Sequence, residues 1–179
     1  MIDKPKSLAE HLLTKLQHHK LKVTTAESCT GGLIASKLTE ISGSSNSFEA
    51  GYVTYSNKMK TEMLGVCPKL LAEVGAVSEA VVIEMAKGAL SKSGADLAIA
   101  VSGVAGPNGG SDEKPVGMVW LAWGSHNDIK TQCLRLPYAR RQFQQYVTAI
   151  GLDLLRRYKQ NLSATPNYVV ERAFQQQSS

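Results

Sequence analysis

Thr24-Thr25-Ala26-Glu27-Ser28-Cys29-Thr30-Gly31-Gly32 carries the reading of this 179-residue chain. An apolar strand pattern over 21–26 runs into a short polar turn at 27–32, and two glycines open a helical pattern over 33–40. In open α/β sheets, ligands bind outside the carboxyl ends of strands. Helix N-termini there offer unpaired N–H groups to anions or developing oxyanions. Ser28 stands at that junction as a candidate nucleophile, with the amides of Cys29, Thr30, Gly31 and Gly32 beside it. The commoner use of such residues is capping, by Glu27, Ser28 and Thr30. Cys29 is a rival nucleophile, because a helix N-terminus lowers a thiol pKa. A small buried apolar residue is the preferred reading of Cys29.

Upstream, Ser7 and Glu10 have the spacing of a capping box. The helix they would open carries Leu8, Leu12, Leu13 and Leu16 on one face and ends near His19. Downstream, a Gly/Ser loop at 43–47 precedes a strand over 50–55. Asn57 is the expected N-cap of a short helix ending at Gly65. Pro68 suits the first turn of another helix. Ser78 caps a longer one with Val81, Val82, Met85, Ala89 and Leu90 inward and Gly94 at its end. Residues 97–101 are continuously apolar, as in a buried central strand. Strands over 116–123 and 129–136 form a hairpin through 124–128. A last helix over 139–158 presents Phe143, Tyr146, Val147, Ile150, Leu154 and Leu155. Beyond Gln160 the chain is polar and glutamine-rich, read as a flexible tail with one helical turn.

This order predicts one α/β domain, a three-layer α/β/α sandwich around a mixed, mainly parallel five-stranded sheet. The composition agrees. Hydrophobic residues make up 43% and charged residues 20%, as in ordinary globular domains. No apolar run reaches the length of a membrane span, and no secretory signal is visible at the start. Three widely spaced cysteines argue for a cytoplasmic protein without a disulfide framework or thiolate zinc site. The histidines lack metal-ligand spacing, so no metal or other cofactor is expected. A net charge of +5 is too slight and too scattered to point to nucleic acid.

Two further segments can carry chemistry. On Tyr52-Val53-Thr54-Tyr55-Ser56-Asn57, Tyr55 shares a face with Val53, and Lys60 lies one turn into the following helix. A desolvated lysine can act as base toward a serine, although a solvated helix lysine is the ordinary reading. Ser102-Gly103-Val104-Ala105-Gly106-Pro107 follows the buried strand, and its glycines permit close backbone approach to a ligand. It lacks the spacing of a phosphate loop or a dinucleotide fingerprint.

Together these segments, with Gly75-Ala76-Val77-Ser78 and Lys114-Pro115-Val116-Gly117, resemble the C-terminal domain family of the competence/damage-inducible proteins (CinA) in its stand-alone form. The resemblance covers about residues 7–158, so residues 1–159 are expected to form the amidohydrolase-like domain and 160–179 the tail. It implies hydrolysis of nicotinamide mononucleotide to nicotinate mononucleotide and ammonia, in a homo-oligomer. By the same resemblance Ser28 is the nucleophile, Lys60 its base, and Tyr55 an orienting or relaying group. Ser45 and Ser102, with loop amides at Gly103 and Gly106, are the implied contacts for ribose and phosphate, and Arg140 the phosphate cation. One departure stands out. Many relatives carry a second arginine four residues beyond the one matched by Arg140, and here that position is Gln144. The alternatives are an amidase for a different substrate, and a non-catalytic nucleotide- or partner-binding protein linked to competence or DNA damage.

Overall fold

The computed structural model describes residues 2–162 and 164–174. Its central element is a five-stranded sheet in the order β2-β1-β3-β4-β5. The strands are β1 (Val23–Glu27), β2 (Phe48–Val53), β3 (Leu97–Gly103), β4 (Met118–Ser125) and β5 (Asp128–Arg135). β1 pairs in parallel with β2 and β3, whereas β3–β4 and β4–β5 are antiparallel. Four strands therefore point one way and β4 alone opposes them.

Alternation along the strands divides the core in two. Leu97, Ile99, Val101, Val119 and Leu121 face one side, where α1 (Pro5–His18), α2 (Leu33–Thr39) and α6 (Arg140–Lys159) cover them. Ala26, Ala98, Ala100 and Ala122 face the other. Their short side chains let α5 (Glu79–Ser93) lie close, with α3 (Asn57–Leu64) and α4 (Pro68–Val74) beside it. The three layers are those the sequence predicts.

Local starts and stops differ in instructive ways. The Ser7–Glu10 capping box does not form. Pro5 begins α1 earlier, its fixed φ suiting the first helical turn, and Lys4 is the cap residue. Ser56, not Asn57, caps α3, its Oγ accepting from Met59 N at 3.2 Å. Ser78 precedes α5 but turns its hydroxyl back to the Gly75 carbonyl at 2.9 Å. β2 ends at Val53, so Tyr55 lies beyond the strand. The β4–β5 hairpin closes through His126 and Asn127 alone, because Ser125 already pairs with Asp128. Tyr146 is partly exposed rather than inward, stacked on Tyr138 with ring centroids 4.6 Å apart.

The described part of the segment after Gln160 returns to the domain and packs on it. α7 (Asn167–Val170) buries Val169, and Tyr168 donates its hydroxyl hydrogen to Asp153. Ala173 bridges to Leu134, and Arg135 N and Phe174 N bond across to Arg172 O and Cys133 O. This return covers part of the outer edge of β5. Residues 175–179 lie outside the described residues.

Candidate active site

Ser28 follows the last residue of β1, at the carboxyl end of the parallel strands. Capping, the ordinary employment of this turn, is taken entirely by Glu27. Its buried carboxylate accepts from Thr30 Oγ1 at 2.6 Å and from the amides of Gly32, Ile34 and Ala35 at 3.1, 3.0 and 2.8 Å. An acidic group at a helix N-terminus is favoured by both the orphan N–H groups and the dipole. Gly32 makes the turn possible: it sits at φ +95°, where a Cβ would be strained and would meet Val53 Cγ2 at 3.2 Å. Ser28 is thereby left free of capping duty.

Its hydroxyl meets Lys60. Nζ stands 3.1 Å from Ser28 Oγ and donates to the Thr54 carbonyl at 2.8 Å. Lys60 is only 1% exposed, among the largest fully buried side chains in the protein's described residues. Among the described residues no carboxylate reaches it. Burial therefore disfavours the ammonium, and the Lys60 pKa falls below its ordinary 10.5. Cys29 next door is chemically quiet, since burial pushes its thiol up to about 12.

A cleft of about 290 Å³ opens over the pair. Ser28, Cys29, Tyr55, Lys60, Ser102, Gly103, Gly106 and Arg140 line it, joined by Asn57 and Asn108, which sequence reasoning did not assign. Arg140 at the start of α6 donates to the Gly106 carbonyl at 2.9 Å and to Tyr55 Oη at 2.7 Å. Gly106 is fixed in place: φ is +69°, and a Cβ would lie 2.4 Å from Val116 Cγ1. Among the described residues no carboxylate pairs with Arg140.

Other expected contacts fall elsewhere. Tyr55 is 61% exposed and is bonded to Arg140, with no hydrogen bond to Ser28 or Lys60. Ser45 belongs to the 3₁₀ turn Ser44–Asn46 at the amino end of the parallel strands, where its carbonyl accepts from Lys22 Nζ. The length of β1 separates it from the cleft. Thr30, Gly31 and Gly32 use their polar groups inside the turn: Gly31 N bonds to Ser28 O at 3.1 Å, while the Thr30 hydroxyl and Gly32 N serve Glu27. Two amides remain. Cys29 N meets only its own thiol, and Thr30 N has no acceptor among the described residues. No group of three or more His, Cys, Asp or Glu side chains among the described residues is arranged to hold a metal ion. No helix among them is long and apolar enough to cross a membrane.

The profile of the CinA C-terminal domain matches residues 5–159. The chain belongs to the CinA C-terminal domain family. A CinA-like protein of Colwellia psychrerythraea is 75% identical over 175 residues, 98% of this chain and 40% of that protein. The chain thus spans well under half of the CinA-like relatives it matches, 36% in the case of the one from Akkermansia muciniphila. The nicotinamide-nucleotide amidohydrolase PncC of Pseudomonas putida is 54% identical over 147 residues, 82% of this chain and 92% of that one. Among solved structures, a competence/damage-inducible protein from Agrobacterium tumefaciens superposes with a TM-score of 0.83 at 43% identity, covering 87% of this chain and 96% of that one. A CinA superfamily protein from Klebsiella pneumoniae reaches 0.85 at 36% identity, covering 89% and 99%. The CinA fold and the layered arrangement derived above are one and the same.

Proposed function

We propose that this CinA domain is an amidohydrolase that converts nicotinamide mononucleotide to nicotinate mononucleotide and ammonia. The observation that carries the reading is a buried lysine amine 3.1 Å from the hydroxyl of Ser28, in a cleft flanked by an arginine without a carboxylate partner. The similarity to the P. putida amidohydrolase supplies the substrate class.

Lys60 Nζ lies within hydrogen-bond reach of both Thr54 O and Ser28 Oγ; in its neutral form it keeps one hydrogen on Thr54 O and turns its lone pair to the Ser28 hydroxyl. Ser28 Oγ then attacks the carboxamide carbon as its proton passes to Nζ. The oxyanion that forms is met by the free N–H groups after Ser28. The Lys60 ammonium returns the proton to the departing amine, which leaves as ammonia, and Ser28 is left as the nicotinate ester. Water attacks that ester, with Lys60 again taking the proton, and the acid and free Ser28 are released. Arg140, held by Tyr55 and Gly106, presents its remaining N–H groups to the substrate phosphate. Tyr55 on this reading steadies the guanidinium rather than relaying a proton. A cytoplasmic, homo-oligomeric enzyme without a cofactor completes the proposal; three free cysteines and the family resemblance support it.

Ammonia release from the mononucleotide tests the proposal. Ser28→Ala is expected to abolish it and Cys29→Ala to leave most of it. Activity lost in Cys29→Ala and kept in Ser28→Ala would move the nucleophile to the thiol. An inactive parent chain would favour the binding-protein alternative.

A further inference from the structure

Gln144 stands four residues beyond Arg140, hence on the same face of α6, but it does not line the cleft. Its Nε2 donates to the carbonyl oxygen of Cys29 at 2.9 Å, across 115 residues of chain. That carbonyl belongs to the peptide unit whose nitrogen is Thr30 N. The unit is trans, so its N–H points opposite to its C=O. The preceding unit is held in the same manner: Gly31 N bonds to Ser28 O, which leaves Cys29 N–H directed away. Both peptides after the nucleophile are therefore gripped by their oxygens, and both N–H groups are left without a backbone acceptor.

We infer that Gln144 is a positioning residue that fixes the Cys29–Thr30 peptide as part of the oxyanion-stabilising turn. The inference rests on the amidohydrolase reading of Ser28 and Lys60. Two physical effects act together. Donation to the carbonyl restricts rotation of the peptide plane, so the N–H does not have to be reoriented as charge develops. Donation also polarises the peptide, which strengthens the N–H as a donor. A glutamine at a position where relatives carry arginine thus has its own employment: it tethers the nucleophile turn to the helix that carries Arg140.

Steady-state kinetics on nicotinamide mononucleotide with Gln144→Ala, Gln144→Glu and Gln144→Arg separates this from a phosphate-binding role. Outright loss of an oxyanion donor costs on the order of a hundredfold in kcat, so loosening one is expected to cost about tenfold in Gln144→Ala, with KM unchanged. Gln144→Glu keeps the size but offers only acceptors to a carbonyl, and should fall at least as far. Gln144→Arg restores an N–H donor and should recover most of the parent kcat. A loss confined to KM overturns the inference, as does a Gln144→Arg enzyme that folds with the parent's Tm yet is as slow as Gln144→Ala. A readout independent of turnover is the Thr30 amide resonance in ¹⁵N-labelled protein. It should move in Gln144→Ala and Gln144→Glu and return toward the parent position in Gln144→Arg. A resonance unmoved in all three refutes the tether. An inactive parent with the expected resonance pattern defeats the amidohydrolase reading and leaves the tether standing.

Discussion

Glu27 and Ser28 are adjacent, and each does what the other could have done. Either could cap α2; the carboxylate takes four hydrogen bonds and the hydroxyl takes none of them. Lys60 completes the division of labour at a cost in stability, since burial without an opposite charge beside it disfavours the ammonium. Its native pKa lies below 10.5, so between the two values the unfolded chain binds more protons than the folded one. Stability is thus penalised at low pH, and the penalty is relieved as pH rises through the native pKa toward 10.5. Lys60→Met, similar in length and apolar, should be inactive, melt higher than the parent at neutral pH and lack this alkaline rise; melting curves across pH check it. In the parent, kcat/KM should climb with pH through the same lowered value. Arg140→Ala should raise KM for the mononucleotide with a smaller change in kcat. The corresponding riboside, without a phosphate, should be hardly affected by that change, and equal losses for both substrates would make Arg140 a structural residue.

At the scale of elements, the two helices beside the candidate site are held by caps of different kinds. α3 brings Lys60 one turn past a Ser56 cap, and α2 hangs from Glu27. Glu27→Gln replaces an acceptor-only group by one with a donating end facing backbone N–H groups, and charged hydrogen bonds of this type are worth about 1.5–3 kcal/mol. A stability loss of that order, read by denaturant unfolding, is expected together with slower turnover, because the same turn holds Ser28. The strand-turn-helix at 23–39 was legible in the sequence, as were the buried 97–101 run and the glycine stops at Gly65 and Gly94. Local competition hid other boundaries. Ser56 and Asn57 are both good caps, Pro5 outbids Ser7, and the polar run at 124–128 resembles a five-residue turn although only two residues turn. The site was legible only in part. Ser28 and Lys60 are near each other because α3 sets its lysine against the turn that follows β1, and nothing local in the sequence marks Lys60 as buried. Gln144 showed only as a missing arginine, since a hydrogen bond across 115 residues leaves no periodic trace.

At the scale of the whole molecule, the C-terminal return covers part of one edge of the sheet and is pinned at Asp153. Burial alone would raise the Asp153 pKa, but hydrogen bonds from Tyr168, Arg157 and Arg156 outweigh it and hold the carboxyl below its usual 3.8. Its contribution is present above pH 3.8 and lost as pH falls through the native value. Asp153→Asn should flatten that acid limb of the melting curve. A chain ending at Gln160 should melt at a lower temperature with kcat and KM kept, because no described residue of the return lines the cleft. Ser28 and Lys60, for their part, are mounted on different halves of the protein. The Ser28 turn is fastened to the core beneath α1, α2 and α6, and the Lys60 amine to the core beneath α3, α4 and α5. The 3.1 Å separation is therefore a gauge of how the two halves seat against the sheet. A cavity cut far from the cleft, such as Leu12→Ala in one half or Met85→Ala in the other, should register as slowed catalysis at temperatures where the protein is still folded. Hydrostatic pressure, which acts on the seating of both halves against the sheet, should tune the proposed reaction of the intact protein without any substitution.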